Sequence, residues 1–509
     1  MKRHFRNDPL EDIVAVGRVG PDAVQLWART REAGSHLVRW WPDADPGTYR
    51  ERRFEVPPQD PRDHTFAVCL EGSAADLEPL RRYRYRIEAE RDSRLVGEGT
   101  FETGPSDAAQ SPNRFAFAVM SCNQPFDDQG CVRGNATEML AAAKTCLDEH
   151  RAQFVFMMGD QMYADLPERL SLFDPDYFAT IAPEGRRRIQ ECTTSEVRRI
   201  YQRRYRHFWN VPGLKDLFSH FPCYMILDDH DIVDNWGSDA AHHTEEWRSL
   251  GEGARWAYFD YQGARVLPPS HELPPSFDYA MTYGHAAAFV MDLRSERIAD
   301  EDGQLYSYEQ QRRLREFLVQ HRRHKVILLV LSVPPVHLPQ LVAKVSTRLA
   351  PGGEDLSDRW TAPAHLRDRD RFLKMIREHQ RHNPDQRVVI LSGDIHVGCL
   401  HELQWQDDGP RLFQFVSSGL TNRASWPLQM GARGLIRLTR SVATTDEEVR
   451  AAVRLLPGTR GRDNNPYAFL NLGIVQIETP DPELPARLRF QLYGHRGEVP
   501  VCAYDSGWL

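Results

Sequence analysis

Residues 154–165 read FVFMMGDQMYAD, and the reading of this stretch decides the fold. Five apolar residues run straight into the pair Gly159–Asp160, with Tyr163 three places past the aspartate and Asp165 two beyond that. A short apolar run closed by Gly-Asp predicts a buried parallel strand. Its carboxyl end delivers one carboxylate into a crevice, where open α/β sheets bind their ligands.

Working outward, RFAFAVMSCN (114–123) reads as a second buried strand, and NATEMLAAAKTCLDEH (135–150) as an amphipathic helix capped by Asn135. Strand, helix and strand make a β-α-β unit, which implies a parallel sheet with a right-handed crossover. The pattern returns at CYMILDDHD (223–231), HAAAFVMDLR (285–294), KVILLVLSVPPVH (325–337), RVVILSGDIH (387–396) and RLFQFVSSGLTN (411–422). LRDRDRFLKMIREHQRH (366–382) is a crossover helix, and YAFLNLGIVQIE (467–478) and LRFQLYG (488–494) are paired strands. Residues 166–220 are helical in pattern, with the stripe Val197, Tyr201, Tyr205 and Phe208 facing inward and the arginines among them solvated. The segment 423–462 reads as an insertion, helical at DEEVRAAVRLL (446–456), that either lies over the site as a lid or pads the surface.

Toward the amino end the grammar is different. AVQLWAR, HLVRWWP, ERRFEV, DHTFAVCL, YRYRIEAE and GEGTFET follow one another between residues 23 and 103, separated by Gly, Pro and Asp. Period-2 alternation at this spacing predicts a small antiparallel β-sandwich of immunoglobulin or fibronectin type, with Trp27, Trp40 and Tyr85 in its core. The chain therefore divides into a sandwich over 1–103, a linker GPSDAAQSPN over 104–113, and a larger α/β unit over 114–509.

Composition narrows the functional classes. At 509 residues with 41% hydrophobic content, the chain is long enough for two folded domains, and no stretch is apolar for the length that crosses a bilayer. A net charge of −8 without a sustained basic face argues against nucleic acid as the main partner. The start, MKRHFRNDPLEDIVAVG, has no signal-length apolar run and no twin arginine. The expected location is the cytoplasm, or the periplasm or exterior if a leader was removed. Eight cysteines without a CxxC pair predict reduced thiols rather than a disulfide framework. Nothing in the composition signals an oligomeric state.

Four strand ends carry the chemistry: SCN (121–123), GDQMYAD (159–165), DDHD (228–231) and GDIH (393–396). Asp, His, Asn, Cys and Tyr are metal ligands, and the ends of neighbouring parallel strands converge on one crevice. Dispersed ligands of this kind fit a two-metal site in which one carboxylate bridges the ions. Each motif alone is weak, because a lone Gly-Asp is commonly a turn; four in one chain point to a site.

In order, SCN, GDQMYAD, DDHDIVDNW (228–236), LSGDIH (391–396) and SSGLTN (417–422) resemble the alkaline phosphatase D (PhoD-like) family of metallophosphoesterases. The amino-terminal β-domain is similar to that family's architecture, and the resemblance runs from about Val14 to the final strands. It implies an α/β fold whose catalytic domain is a calcineurin-like αββα sandwich. It also implies a binuclear centre of Fe3+ with a divalent ion, Ca2+ or else Zn2+ or Mn2+. Carried over residue by residue, Asp160 would bridge the ions, Tyr163 would bind iron as a tyrosinate, and Cys122 would be a further iron ligand. Phenolate is a hard anionic donor suited to a trivalent ion. Asp229 matches the ligand of the divalent ion, and Asp228 stands either behind it or among the ligands. His230 would contact the phosphoryl group and protonate the leaving oxygen, and Asp394 and His396 occupy the paired terminal ligand positions. Asn123 sits where an amide holds phosphate or metal. Arg294 in MDLRSER (291–297) resembles the family's Asp-x-Arg segment, where a guanidinium fork suits two phosphoryl oxygens; the alternative is a surface ion pair with Asp292 or Glu296. His337 is a further possible contributor and Asp165 has no assigned role. The third motif ends DDHD where the family more often has DDHE.

The reaction this implies is in-line attack of a metal-bound hydroxide on a small phosphomonoester or phosphodiester, without a covalent enzyme intermediate. The rivals are a phospholipase D-like or nucleic-acid-directed phosphodiesterase on the same fold, and a metal-binding scaffold without catalysis.

Overall fold

The computed structural model describes residues 3–298, 303–336, 358–407, 409–423, 426–459, 464–481 and 483–509. His337 and most of the 340–362 loop lie outside the described residues.

The alternating amino-terminal segments form seven strands: β1 (Ile13–Val19), β2 (Ala23–Arg29), β3 (Gly34–Pro42), β4 (Arg50–Val56), β5 (Thr65–Glu71), β6 (Arg82–Ala89) and β7 (Arg94–Glu102). They pair antiparallel in a three-stranded sheet, β1-β2-β5, and a four-stranded sheet, β4-β3-β6-β7. Strand β6 shows the period: Tyr83, Tyr85 and Ile87 face the core while Arg82, Arg84 and Arg86 face outward. Trp40 and Tyr85 fill this core with Val16, Leu26 and Val38. Trp27 corrects the sequence reading. It points out of the sandwich, meets Trp209 edge to face and Tyr261 at a tilt, and donates its indole N–H to Asp260 O at 2.8 Å. The alternation says which residues share a face, and only the docking of the three-stranded sheet makes that outer face a second core.

The larger unit runs β8 (Arg114–Met120), α1 (Gly134–His150), β9 (Ala152–Met158), α2 (Thr194–Trp209), β10 (Cys223–Ile226), α3 (Glu245–Tyr261), β11 (Tyr279–Tyr283), β12 (Ala286–Val290), α4 (Tyr308–Gln320), β13 (Val326–Val330), α5 (Leu366–His382), β14 (Arg387–Ser392), β15 (Cys399–Trp405), β16 (Leu412–Val416), α6 (Trp426–Leu438), β17 (Ser441–Ala443), β18 (Arg450–Leu455), β19 (Leu472–Glu478), β20 (Arg487–Arg496) and β21 (Val499–Trp508). One sheet has the order β10-β9-β8-β19-β20-β21, parallel over its first three strands. The other has the order β11-β12-β13-β14-β16-β15-β18-β17, parallel from β12 to β16 through β13 and β14. The sheets face each other through one core that holds Val119, Phe156 and Met158 from the first and Leu328, Val389, Leu391 and Phe415 from the second. The far face of the second sheet, at Ile327, Leu329 and Ile390, packs on Leu314 and Phe317 of α4 and Phe372 and Ile376 of α5. The result is the αββα sandwich, preceded by the β-sandwich.

Two local readings change. Helix α1 begins at Gly134, with Arg133 at the cap position and no side-chain cap, so Asn135 lies within the first turn. DEEVRAAVRLL is not helical: its carboxyl half is β18, which pairs antiparallel with β15 and β17, and the helix of this region is α6. Alternate burial along Arg450–Leu455 wins over the helix preference of Ala, Arg and Leu once an open sheet edge stands beside it. Among the described residues, no helix is long and apolar enough to cross a membrane.

Candidate metal centre

Strands β8, β9, β10 and β14 all end at one rim, and the chain turns sharply just beyond each. Cys122, Asp160, Asp394 and His396 lie in the left-handed region, with φ of 59°, 57°, 66° and 52°. Such conformations cost non-glycine residues energy and collect at functional sites, where the surrounding structure over-determines them. The glycines before the two aspartates are required by space. A Cβ on Gly159, itself at φ 89°, would stand 2.5 Å from Asp228 Cβ, and one on Gly393 would stand 2.5 Å from Ser121 Cβ. Backbone bonds then lace the turns together: Asn123 N–H to Asp160 O at 2.8 Å, and Asn422 N–H to Cys122 O at 3.1 Å.

Asp160 is the centre of what results. Its Oδ2 accepts from Tyr163 OH at 3.2 Å and lies 3.4 Å from Cys122 Sγ, while its Oδ1 is buried without a hydrogen-bond partner. Asp160, Asp229 and His230 each present a ligand atom within 4.8 Å of the others. Asp229 Oδ1 is likewise buried without a hydrogen bond. Burial, with Cys122 and the neighbouring aspartates adding to it, pushes the Asp160 carboxyl well above the usual range. Burial and Asp160 push the Tyr163 phenol up, and burial raises the Cys122 thiol. Acidic groups held back from ionising, with carboxylate oxygens buried and left without hydrogen bonds, are what a cation site looks like in chemical terms, and the oxygen donors suit hard metal ions.

The structure brings Cys122, Asp160, Tyr163, Asp229 and His230 together. Asp394 joins them from the facing sheet: its carbonyl lies 3.7 Å from Cys122 Sγ, and its carboxylate pairs with Arg359. His396 is tied in through its backbone N–H, which donates to Ser418 Oγ at 2.8 Å. Asn123 turns its carbonyl oxygen to Thr421 Oγ1 at 2.9 Å and keeps a buried amide nitrogen without a partner. Asp228 Oδ1 accepts from Arg294 Nε and, at 3.0 Å, from Ser332 Oγ, while its Oδ2 is buried without a hydrogen-bond partner.

Arg294 fits neither geometry expected of it. It is fully buried rather than on the surface. Its fork is taken by Asp358, with bonds of 2.5 and 2.8 Å, while its Nε bonds Asp228 and its Nη2 stands 3.5 Å from Asp229 Oδ1. Asp292 meets its backbone N–H instead, at 2.9 Å. Burial opposes these charges, yet Arg294 and Arg297 together hold the Asp358 carboxyl far below its usual range.

Four residues outside the expected set complete the site. Asp165 accepts the Nδ1–H of His230 at 2.8 Å, and the His230 ring stacks on Tyr163 with centroids 4.3 Å apart. Although burial opposes it, Asp165 foremost and then Asp229 and Asp160 raise the His230 imidazole well above its usual range. Asn422 donates to Tyr163 OH at 3.1 Å. Asp231 accepts the N–H groups of Asp160 and Asp228 at 3.1 and 3.0 Å, joining two strand ends. Arg204 corrects the solvated-arginine reading of α2: it is buried and donates to the carbonyls of Tyr163, Leu166 and Leu170, fixing the loop that follows GDQMY. Asp165 and Asn422 sat inside quoted motifs and were findable; Arg204 carried no signal that set it apart from its neighbours.

The profile of a family described as PhoD-like phosphatase matches residues 117–456. No curated protein matches the sequence. Among solved structures, one of PhoD is similar at 17% identity and a TM-score of 0.63, over 98% of this chain and 93% of that one. At that identity the likeness shows a shared fold. The FN5 domain of Drosophila Lar is similar at 14% identity over 19% of this chain and 98% of that one, with a TM-score of 0.14. Chicken CNTN1 FN1–FN3 is similar at 17% identity over 19% of this chain and 32% of that one, also at 0.14. Scores this low carry no weight for fold or function.

Proposed function

The chain belongs to the PhoD-like phosphatase family, and from that premise we propose that it is a metal-dependent hydrolase of small phosphomonoesters or phosphodiesters. The observation that carries the metal dependence is the pair Asp160 and Asp229, whose carboxylates lie within 4.8 Å of each other beside His230 and each keep one oxygen buried without a hydrogen bond. In this reading Asp160, Cys122 and Tyr163 would hold Fe3+, Asp229 would hold a divalent ion (Ca2+, or Zn2+ or Mn2+) with Asp160 serving both, and Asp394 and His396 would complete the set. Metal ions held there would supply the acidification of the attacking water and the neutralisation of charge developing on the phosphoryl oxygens.

The chain's own groups do the rest. Asp165 has only acceptor atoms, so it fixes Nδ1 of His230 as the donor and leaves Nε2 to pass a proton to the departing oxygen. Stacking on Tyr163 holds the ring in plane. Arg294 keeps Asp228 and Asp229 in position from behind, rather than meeting the phosphoryl group. The same reading assigns the chemistry to 114–509 and leaves 1–103, joined through 104–113, outside it.

The test is metal analysis followed by nitrophenyl phosphate, bis-nitrophenyl phosphate, lipid and oligonucleotide substrates on one preparation. Metal-dependent turnover of the small esters, abolished by chelation and restored by metal, is expected. Turnover confined to lipid or oligonucleotide would shift the substrate class, and metal-free protein inert on all four would defeat the proposal. Iron has its own check. Tyrosinate bound to Fe3+ absorbs in the visible, so the protein is expected to be coloured and Tyr163→Phe to lose the band. A colourless, fully active enzyme without iron would refute that assignment.

A further inference from the structure

We propose that Arg359 is the side chain that grips the phosphoryl oxygens of the substrate, an inference that rests on the phosphoesterase reading above. The guanidinium expected to do this, Arg294, has no fork to offer, because Asp358, Asp228 and the Trp236 carbonyl take its donors. Arg297 is committed in the same way, to Leu293 O, Ser238 Oγ and Asp358. Arg359 differs. Among the described residues its guanidinium makes one ion pair, with Asp394 at the rim of the acid cluster, and its side chain is 17% exposed. A planar fork of N–H donors beside that cluster, with Nη1 buried and, apart from the ion pair, without a hydrogen bond, matches the geometry of a phosphoryl group.

The chain aims it there from both sides. Asp358, immediately before, is buried and clamped by Arg294, Arg297 and Ser238 Oγ, the last at 2.7 Å. Trp360, immediately after, is fully buried between Tyr306 and Phe372 and donates its indole N–H to Val333 O at 3.0 Å. The Arg359 carbonyl is fixed as well, by Ala362 N–H at 2.9 Å and His365 Nδ1 at 3.1 Å. With both neighbours anchored in the core, Arg359 is held facing the acids, and little freedom is lost when it meets a ligand. The buried Arg294–Asp358–Arg297 cluster is thus the foundation on which the binding arginine stands.

The experiment compares metal-loaded wild type, Arg359→Ala and Arg359→Lys. Metal content is read by elemental analysis, affinity for inorganic phosphate by calorimetry, and KM and kcat on nitrophenyl phosphate. Arg359→Ala is expected to keep its metal, weaken phosphate binding about 10- to 100-fold and raise KM in step, with lysine recovering part of the loss. Unchanged phosphate affinity in Arg359→Ala would overturn the proposal, as would a loss traceable wholly to altered metal content, since Arg359 would then only neutralise Asp394. Wild type that binds metal and phosphate but turns over no ester would defeat the phosphoesterase reading while leaving the Arg359 result to stand on binding alone.

Discussion

Asp160→Asn is expected to lower turnover of nitrophenyl phosphate by about a thousandfold or more, equivalent to about 4 kcal/mol of transition-state stabilisation, without unfolding the protein. The amide keeps the shape of the side chain and can still accept from Tyr163 OH, so the local bonding survives. What disappears is the shared anionic ligand. The same substitution is expected to raise the melting temperature of the metal-free protein slightly. The carboxyl's folded-state pKa lies above its ordinary value, first through burial, so above that ordinary value the ionised group opposes folding. An amide removes that opposition. Activity near wild type with metal bound would sink the assignment of Asp160, and a large fall in melting temperature would show that its role is structural.

Arg294→Met is expected to have the largest effect on stability, a loss of about 3–5 kcal/mol in denaturant unfolding. Methionine fills the volume but leaves Asp228 and Asp358 buried, the first without its guanidinium and the second with Arg297 as its remaining buried partner. Lysine is not expected to rescue, because a point charge cannot span Asp228 and both oxygens of Asp358 at once. Adding Asp358→Asn to Arg294→Met should recover part of the loss, since it removes one of the stranded charges. A single-variant cost below about 1 kcal/mol, the range of exposed pairs, would mean that the cluster does not tie the Asp228 and Arg294 strand ends of the two sheets together.

The strand ends were legible because parallel strands buried on both faces must be apolar runs, and a polar group at the end of such a run has few places to go but the crevice. GDQMYAD, DDHD and GDIH all obeyed that rule. LRDRDRFLKMIREHQRH was equally plain, and the helix spans Leu366–His382 as its apolar stripe requires. Asp165 and Asn422 stood within the quoted motifs without a role, because a hydrogen bond to a ring nitrogen or a phenol depends on where the partner loop lies. DEEVRAAVRLL was misread because its composition favours a helix, and its partners on the neighbouring strand β15 that overrides it, from Trp405 opposite Ala451 to His401 opposite Leu455, lie far from it in the chain.

The apolar runs and their polar punctuation determine, from the sequence alone, a parallel α/β unit, the preceding β-sandwich and the rim at which the acids gather, while the αββα layering was implied only by the family resemblance. These follow from local periodicity and burial, which each segment carries within itself. Which charge meets which was decided only by the tertiary structure. Arg294 lies 66 residues from Asp228 and 64 from Asp358, and ion pairs between such distant positions leave no pattern in the chain. FVFMMGDQMYAD named the crevice; the packing of the two sheets, by burying Arg294 against Asp228 and Asp358 and setting Arg359 against Asp394, decided which charges surround it.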